Sequence, residues 1–148
     1  MRVALDTNIL VYSVDLADPQ KQQRAIEIIN RATVAGSAIA EQSYFEFLNV
    51  VVRKFGFPRD GSFQMVSTWR SVFDTVWPSD KVFDDTKSLM QRFNLNVWDS
   101  HLLAICAAAG ISVLLSEDMQ DGGLYGTVLV VDPFEPANDT KLDALLPP

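Results

Sequence analysis

One cysteine and one histidine are the chain's whole stock of thiol and imidazole ligands among 148 residues. A single thiol excludes an internal disulfide. Cys106 lies in the run Leu102-Leu103-Ala104-Ile105-Cys106-Ala107-Ala108-Ala109, where a packed core thiol is expected rather than a nucleophile. Positive charge is also scarce: 12 Lys and Arg stand against 19 Asp and Glu, for a net charge of −7 and a pI near 4.5. That balance excludes the broad basic surface behind nonspecific duplex binding. It suits a site of clustered carboxylates, which a bound cation would offset locally. No apolar run approaches the roughly 20 residues needed to span a bilayer. Nor does the start of the chain show a basic region followed by a cleavable apolar stretch. A cytoplasmic protein with no membrane attachment is expected.

The length suits one domain, 1–148, with about 133–148 expected as a Pro-rich tail containing at most one helical turn near Leu142–Leu146. Apolar residues make up 48% of the chain and mean hydropathy is +0.09, which fits a folded α/β core. Arg2-Val3-Ala4-Leu5 opens an apolar run that stops at Asp6, as a buried parallel strand would. Open α/β sheets carry functional groups at that end of a strand, so Asp6 is a site candidate; a turn cap is the alternative. Ile9 to Tyr12 is simply apolar, and Asp15 to Pro19 a loop. Pro19 to Ala35 has helical spacing and Gly36 as its stop. Ser37 to Ala40 is a second strand.

A helix over about 43–55 is apolar around most of its girth. Gln42, Glu46, Asn49 and Arg53 recur at spacings of 4, 3 and 4, which gathers them into one polar stripe that must face water or a cleft. Ser43 and Glu46 also fit a capping box, the alternative for that acid. Helices follow over about 62–73, 79–93 and 97–109, with a short strand at 74–78 between the first two. Asp99 falls in the first turn of the last helix, behind a cap at Asn96, where it would also complement the helix dipole. His101 is expected to pack or face solvent, not to bind metal. Ile111 to Leu115 is another buried strand, ending at Ser116-Glu117-Asp118 with Asp121 beyond it, and Val128 to Val131 is the last strand. The resulting fold class is α/β with a central, mainly parallel sheet of four to five strands.

Asp6 and Asp118 follow buried strands, while Glu46 and Asp99 lie near helix starts. In a right-handed parallel sheet those places share one edge. Two carboxylates about 5 Å apart repel by roughly 3 kcal/mol at an effective dielectric near 20, so four together imply a cation. An all-oxygen site without paired His or Cys ligands suits Mg²⁺ or Mn²⁺ rather than zinc, and such ions commonly serve phosphoryl chemistry.

Leu5-Asp6-Thr7-Asn8-Ile9-Leu10, Ser43-Tyr44-Phe45-Glu46-Phe47, Trp98-Asp99-Ser100-His101-Leu102 and Leu115-Ser116-Glu117-Asp118-Met119-Gln120-Asp121-Gly122 occur in this order. Together they resemble the successive signatures of PIN-domain ribonucleases, specifically the VapC-type toxins of toxin–antitoxin pairs. The resemblance reaches to about residue 132. It implies a PIN-like three-layer α/β/α fold, a Mg²⁺-dependent endoribonuclease, a cognate antitoxin partner and a homodimer. By position it makes Asp6, Glu46, Asp99 and Asp118 the catalytic, metal-binding acids and Asp121 a candidate fifth. Asn8 and Ser116 match residues that orient the acids. Metal held by Asp6, Asp99 and Asp118 would lower the pKa of a bound water, which Glu46 orients unless it holds a second ion. Arg53 either holds a neighbouring RNA phosphate or forms a surface ion pair. Two other readings stand beside this one. The first is a PIN-like scaffold without activity. The second is a haloacid-dehalogenase-like phosphatase, although Asp6-Thr7-Asn8 lacks that family's second acid.

Overall fold

Alternation along the central strands divides the protein into layers. In the computed structural model, which describes residues 1–148, β1 (Val3–Leu5) and β4 (Val113–Leu115) lie side by side in parallel. Val3, Leu5, Val113 and Leu115 point into one core; Ala4 and Leu114 point into another. The first core is completed by five helices: α1 (Thr7–Tyr12), α2 (Pro19–Val34), α3 (Glu41–Arg53), α4 (Arg59–Val72) and α7 (Asp139–Leu145). The second lies beneath α5 (Lys81–Phe93) and α6 (Val97–Ala108). This is the expected three-layer α/β/α arrangement. Side chains such as Leu5, Ile39, Phe47 and Leu114 are fully buried, each worth about 1.5–3 kcal/mol of transfer free energy.

The sheet has six strands, in the order β3 (Asp74–Val76), β2 (Ala38–Ala40), β1, β4, β6 (Val128–Val131), β5 (Leu124–Tyr125). All pairings are parallel except β5 with β6. The expected count of four to five is therefore too low. The extra strand has only two residues inside a Gly-rich segment and makes no periodic signal. Chain order reverses between β1 and β4, which opens a crevice at their carboxyl ends. Gly36 and Gly110 end α2 and α6 with φ of 67° and 72°, a region that costs glycine nothing.

Three local expectations change. Residues Thr7 to Tyr12 form a helix, which a run of only six residues does not announce through its periodicity. Helix α3 begins at Glu41, so Ser43 lies inside it and the capping box does not form; Ala40, at the cap, makes no side-chain bond. The segment expected as a tail docks instead. Leu142 and Leu146 are buried in the first core, while Arg31 reaches the Leu142 carbonyl at 3.3 Å and Asp143 at 2.8 Å. Of the aromatics on and before α4, Phe57 and Trp69 pack against the core, Trp69 edge-on to Phe47 at 4.8 Å; Phe63 stays in solvent.

Candidate functional site

Asp6 extends the β1 ladder by donating its N–H to Leu115 O at 3.0 Å, which carries its side chain to the crevice floor. It is 4% exposed. One carboxylate oxygen accepts from Thr7 N at 2.6 Å, so Asp6 does cap α1; the other accepts from Ser116 Oγ at 2.6 Å. The capping reading of this residue therefore holds, and its carboxylate also lies at the crevice floor. Burial pushes its pKa up to about 7, against these two hydrogen bonds, and the charges of Asp118 and Glu46 add to the rise.

Ser116 ends β4 and is fully buried. Its hydroxyl donates to Asp6 and accepts from Asp118 N at 3.1 Å and from Asn8 Nδ2 at 3.4 Å. One hydroxyl thus ties the ends of two adjacent strands and sets the turn that presents Asp118. Across the crevice, Glu46 accepts from Thr7 Oγ1 at 3.4 Å and from Gln42 Nε2 one turn earlier on α3. Asp99 lies at the start of α6, where Asn96 caps its N–H at 2.9 Å and donates to its carboxylate at 2.8 Å. Partial burial raises the pKa of Asp99 despite the Asn96 bond, and the charge of Asp118 adds to the effect.

The crevice is thus an acidic field in which Asp6 feels Asp118 and Glu46, and Asp99 feels Asp118. No three of the acids are drawn into one chelating cluster. The donor set nevertheless fits a hard divalent cation. Its members are carboxylate oxygens, and Asn8 Oδ1 beside them is a buried acceptor with no donor. Nitrogen and sulfur are engaged elsewhere: His101 pairs with Gln42, and Cys106 is fully buried, its thiol pushed up to about 12 by burial and the charge of Asp6.

Two expected contributors stand apart. Asp121 accepts from Asp132 N and Asn138 Nδ2, both at 2.9 Å. Those bonds anchor the segment leading to α7 and hold its carboxyl below the usual range. Arg53 is exposed, and it is Lys54 that lines an open cleft of about 430 Å³ with Thr7, Asn8, Glu46 and Asp118. Helical geometry explains the exchange: Glu46, Val50 and Lys54 are spaced by four and form one ridge along that wall, which Arg53 leaves. Thr7 and Lys54 were missed from the sequence, although the i+4 and i+8 spacing from Glu46 could have pointed to Lys54. No comparable signal exists for the contacts of Glu117 with Tyr12 and with Lys21, the latter at 2.7 Å.

The family model described as PIN domain matches residues 3–120. Among curated proteins, no sequence matches this chain. Several solved structures share the fold. A toxin–antitoxin complex from Klebsiella pneumoniae superposes with a TM-score of 0.63 at 21% identity, covering 90% of this chain and 98% of that one. The sarcin–ricin-loop-cleaving toxin VapC20 of Mycobacterium tuberculosis gives 0.61 at 11%, covering 78% and 89%. DNA-bound VapBC from Salmonella typhimurium gives 0.65 at 12%, covering 90% and 98%.

Proposed function

From the premise that this chain belongs to the PIN-domain family, we propose that it is a Mg²⁺-dependent endoribonuclease and the toxin of a toxin–antitoxin pair. The observation that carries the reading is Asp6. It is a nearly fully buried carboxylate at the sheet's switch point, facing Glu46 and Asp118 with no basic partner in bonding distance. Such a group is costly unless a cation or a proton neutralises it. Asp6, Asp99 and Asp118 would hold the ion, with Glu46 beside it; Mn²⁺ is the alternative metal. When bound, that ion supplies a water of lowered pKa and stabilises charge at the phosphate.

The chain's own residues do the positioning. Ser116 and Thr7 N fix the two oxygens of Asp6, and Asn8 holds Ser116. Thr7 and Gln42 aim Glu46 into the crevice, where its carboxylate can take a proton from an attacking water. Lys54, rather than Arg53, is placed to meet a phosphate along the cleft.

The proposed partners are an RNA substrate, a cognate antitoxin and a second copy of the chain. Neighbouring folds are solved with antitoxins, and Trp77, Phe83 and Val97 expose apolar surface suited to a dimer. No helix is long and apolar enough to cross a membrane. Against a scaffold without activity stands the sequence itself, which carries all four acids where a degenerate site would have lost some.

The test is cleavage of total RNA with Mg²⁺, with Mn²⁺ and with chelator. Wild type should cleave only with metal. Asp99→Asn and Asp118→Asn should lose at least about 100-fold in rate while keeping the wild-type circular dichroism spectrum. Full cleavage by Asp99→Asn at saturating metal removes that residue from the site.

A further inference from the structure

Each of two site acids is preceded by an aromatic residue that the fold leaves in solvent. Phe45, before Glu46, is 55% exposed, and Trp98, before Asp99, is 61% exposed. A lone exposed aromatic needs no explanation. These two line the same open cleft of about 570 Å³ between α3 and the start of α6, together with Gln42, Glu46, Asn49 and His101.

The Trp98 wall is braced. Its carbonyl accepts from Gln42 Nε2 at 3.1 Å, and its ring meets His101 edge-on, with centroids 6.0 Å apart at 89°. His101 Nδ1 is itself hydrogen-bonded to Gln42 Oε1. Aromatic faces beside a floor of amide and imidazole groups match a ligand with a π-face and a polar edge, which is the chemistry of a nucleobase. Glu41 and Glu46 line the cleft too and repel a phosphate from it. The sugar–phosphate backbone is left to the neighbouring cleft, where Lys54 stands and where Glu46 forms the shared edge.

We infer that this cleft is a base-binding subsite, in which Phe45 and Trp98 stack a nucleobase flanking the cleaved phosphate and His101 and Asn49 meet its polar edge. The inference rests on the ribonuclease reading and narrows its substrate class. A base can enter only if it is unstacked, so the substrate is a single-stranded or loop segment.

The test measures binding without catalysis. A labelled, unstructured RNA oligonucleotide of mixed sequence is titrated with the full chain in EDTA and followed by anisotropy. A second oligonucleotide of equal length carries abasic riboses throughout. Trp98→Ala should weaken binding of the first on the order of 10- to 100-fold, Phe45→Ala should weaken it by a smaller factor, and Trp98→Phe should keep most of the affinity. Wild type should bind the abasic strand as weakly as Trp98→Ala binds the intact one. Both positions are exposed, and an unchanged circular dichroism spectrum verifies folding. Wild-type binding by Trp98→Ala, equal affinity of wild type for the two strands, or no wild-type binding at all would overturn the subsite. So would a Trp98→Ala variant that loses only the antitoxin, since the cleft would then hold a peptide. The two levels separate in a parallel cleavage assay. If wild type and Trp98→Ala both cleave RNA fully with Mg²⁺, the subsite alone fails; if wild type cleaves no RNA with Mg²⁺ or Mn²⁺, the ribonuclease reading fails.

Discussion

Asp6 does two things that the same residue type usually does separately. It caps α1, and it carries a carboxylate into a nearly dry crevice. Its pKa of about 7 against a usual 3.8 makes stability depend on pH with a definite sign. The folded state binds the proton more tightly than the unfolded one, so the favourable contribution is whole below about pH 4 and fades as pH rises through about 7. At higher pH the ionised group costs about 4 kcal/mol in metal-free buffer. Asp6→Asn retains an acceptor for Thr7 N and cannot ionise. In EDTA it should melt higher than wild type near pH ~8 and converge with it toward pH ~4. Thermal denaturation across that range checks this; a gap independent of pH would locate the destabilisation elsewhere. Asp6 and Asp118 stand out in the sequence because they follow apolar strands, Asp99 because it follows the cap Asn96, and Glu46 because it lies on the polar stripe of a largely apolar helix. Lys54 was hidden, because selecting it over Arg53 requires knowing which side of α3 borders the crevice.

At the scale of elements, α2 and α5 showed clear helical spacing between stop signals. Helix α3 and the last segment did not behave as the patterns suggested. Ser43 looks like a cap, yet α3 begins two residues before it and its hydroxyl is buried without a partner. The segment after β6 has four prolines among 133–148 and a short apolar pattern. What turns it into structure is a remote partner, since Arg24 and Arg31 of α2 hold Asp139 at 2.7 Å and Asp143 at 2.8 Å over the buried Leu142 and Leu146. These exposed ion pairs contribute little by themselves; the leucines contribute most. Leu142→Ala should cost about 2 to 5 kcal/mol in chemical denaturation, whereas Asp143→Ala should cost under about 1 kcal/mol. Equal small losses would show that the helix docks without stabilising the core.

For the whole molecule, the crevice is a concentrated negative field on an acidic protein, and two consequences follow. Mg²⁺ or Mn²⁺ should raise the melting temperature of wild type more than that of Asp118→Asn, because a ligand that binds only the folded state stabilises it by mass action. Equal shifts would place the ion outside the crevice. The same field should draw a basic segment of an antitoxin. Arginine is favoured because its planar fork engages a carboxylate through two bonds. Co-expression with the short reading frame beside the gene should yield a complex with suppressed ribonuclease activity. If that product neither binds nor relieves growth inhibition, the toxin assignment is lost, while a metal-dependent ribonuclease would stand on its own assay.

By itself the sequence determined the class of fold, the positions of the principal strands and helices and the identities of the acids. These follow from periodicity and from breaks in it, which are local properties of the chain. Only the tertiary structure decided how the acids are held. Ser116 reaches Asp6 across 110 positions, Thr7 reaches Glu46 across 39, and Gln42 joins Trp98 and His101 from another helix. The structure also turned Asp121 toward Asn138, packed the C-terminal segment into a helix and left Phe45 and Trp98 facing one cleft. Such pairings depend on the order and register of strands, which set elements distant in sequence side by side, and local pattern does not encode that choice.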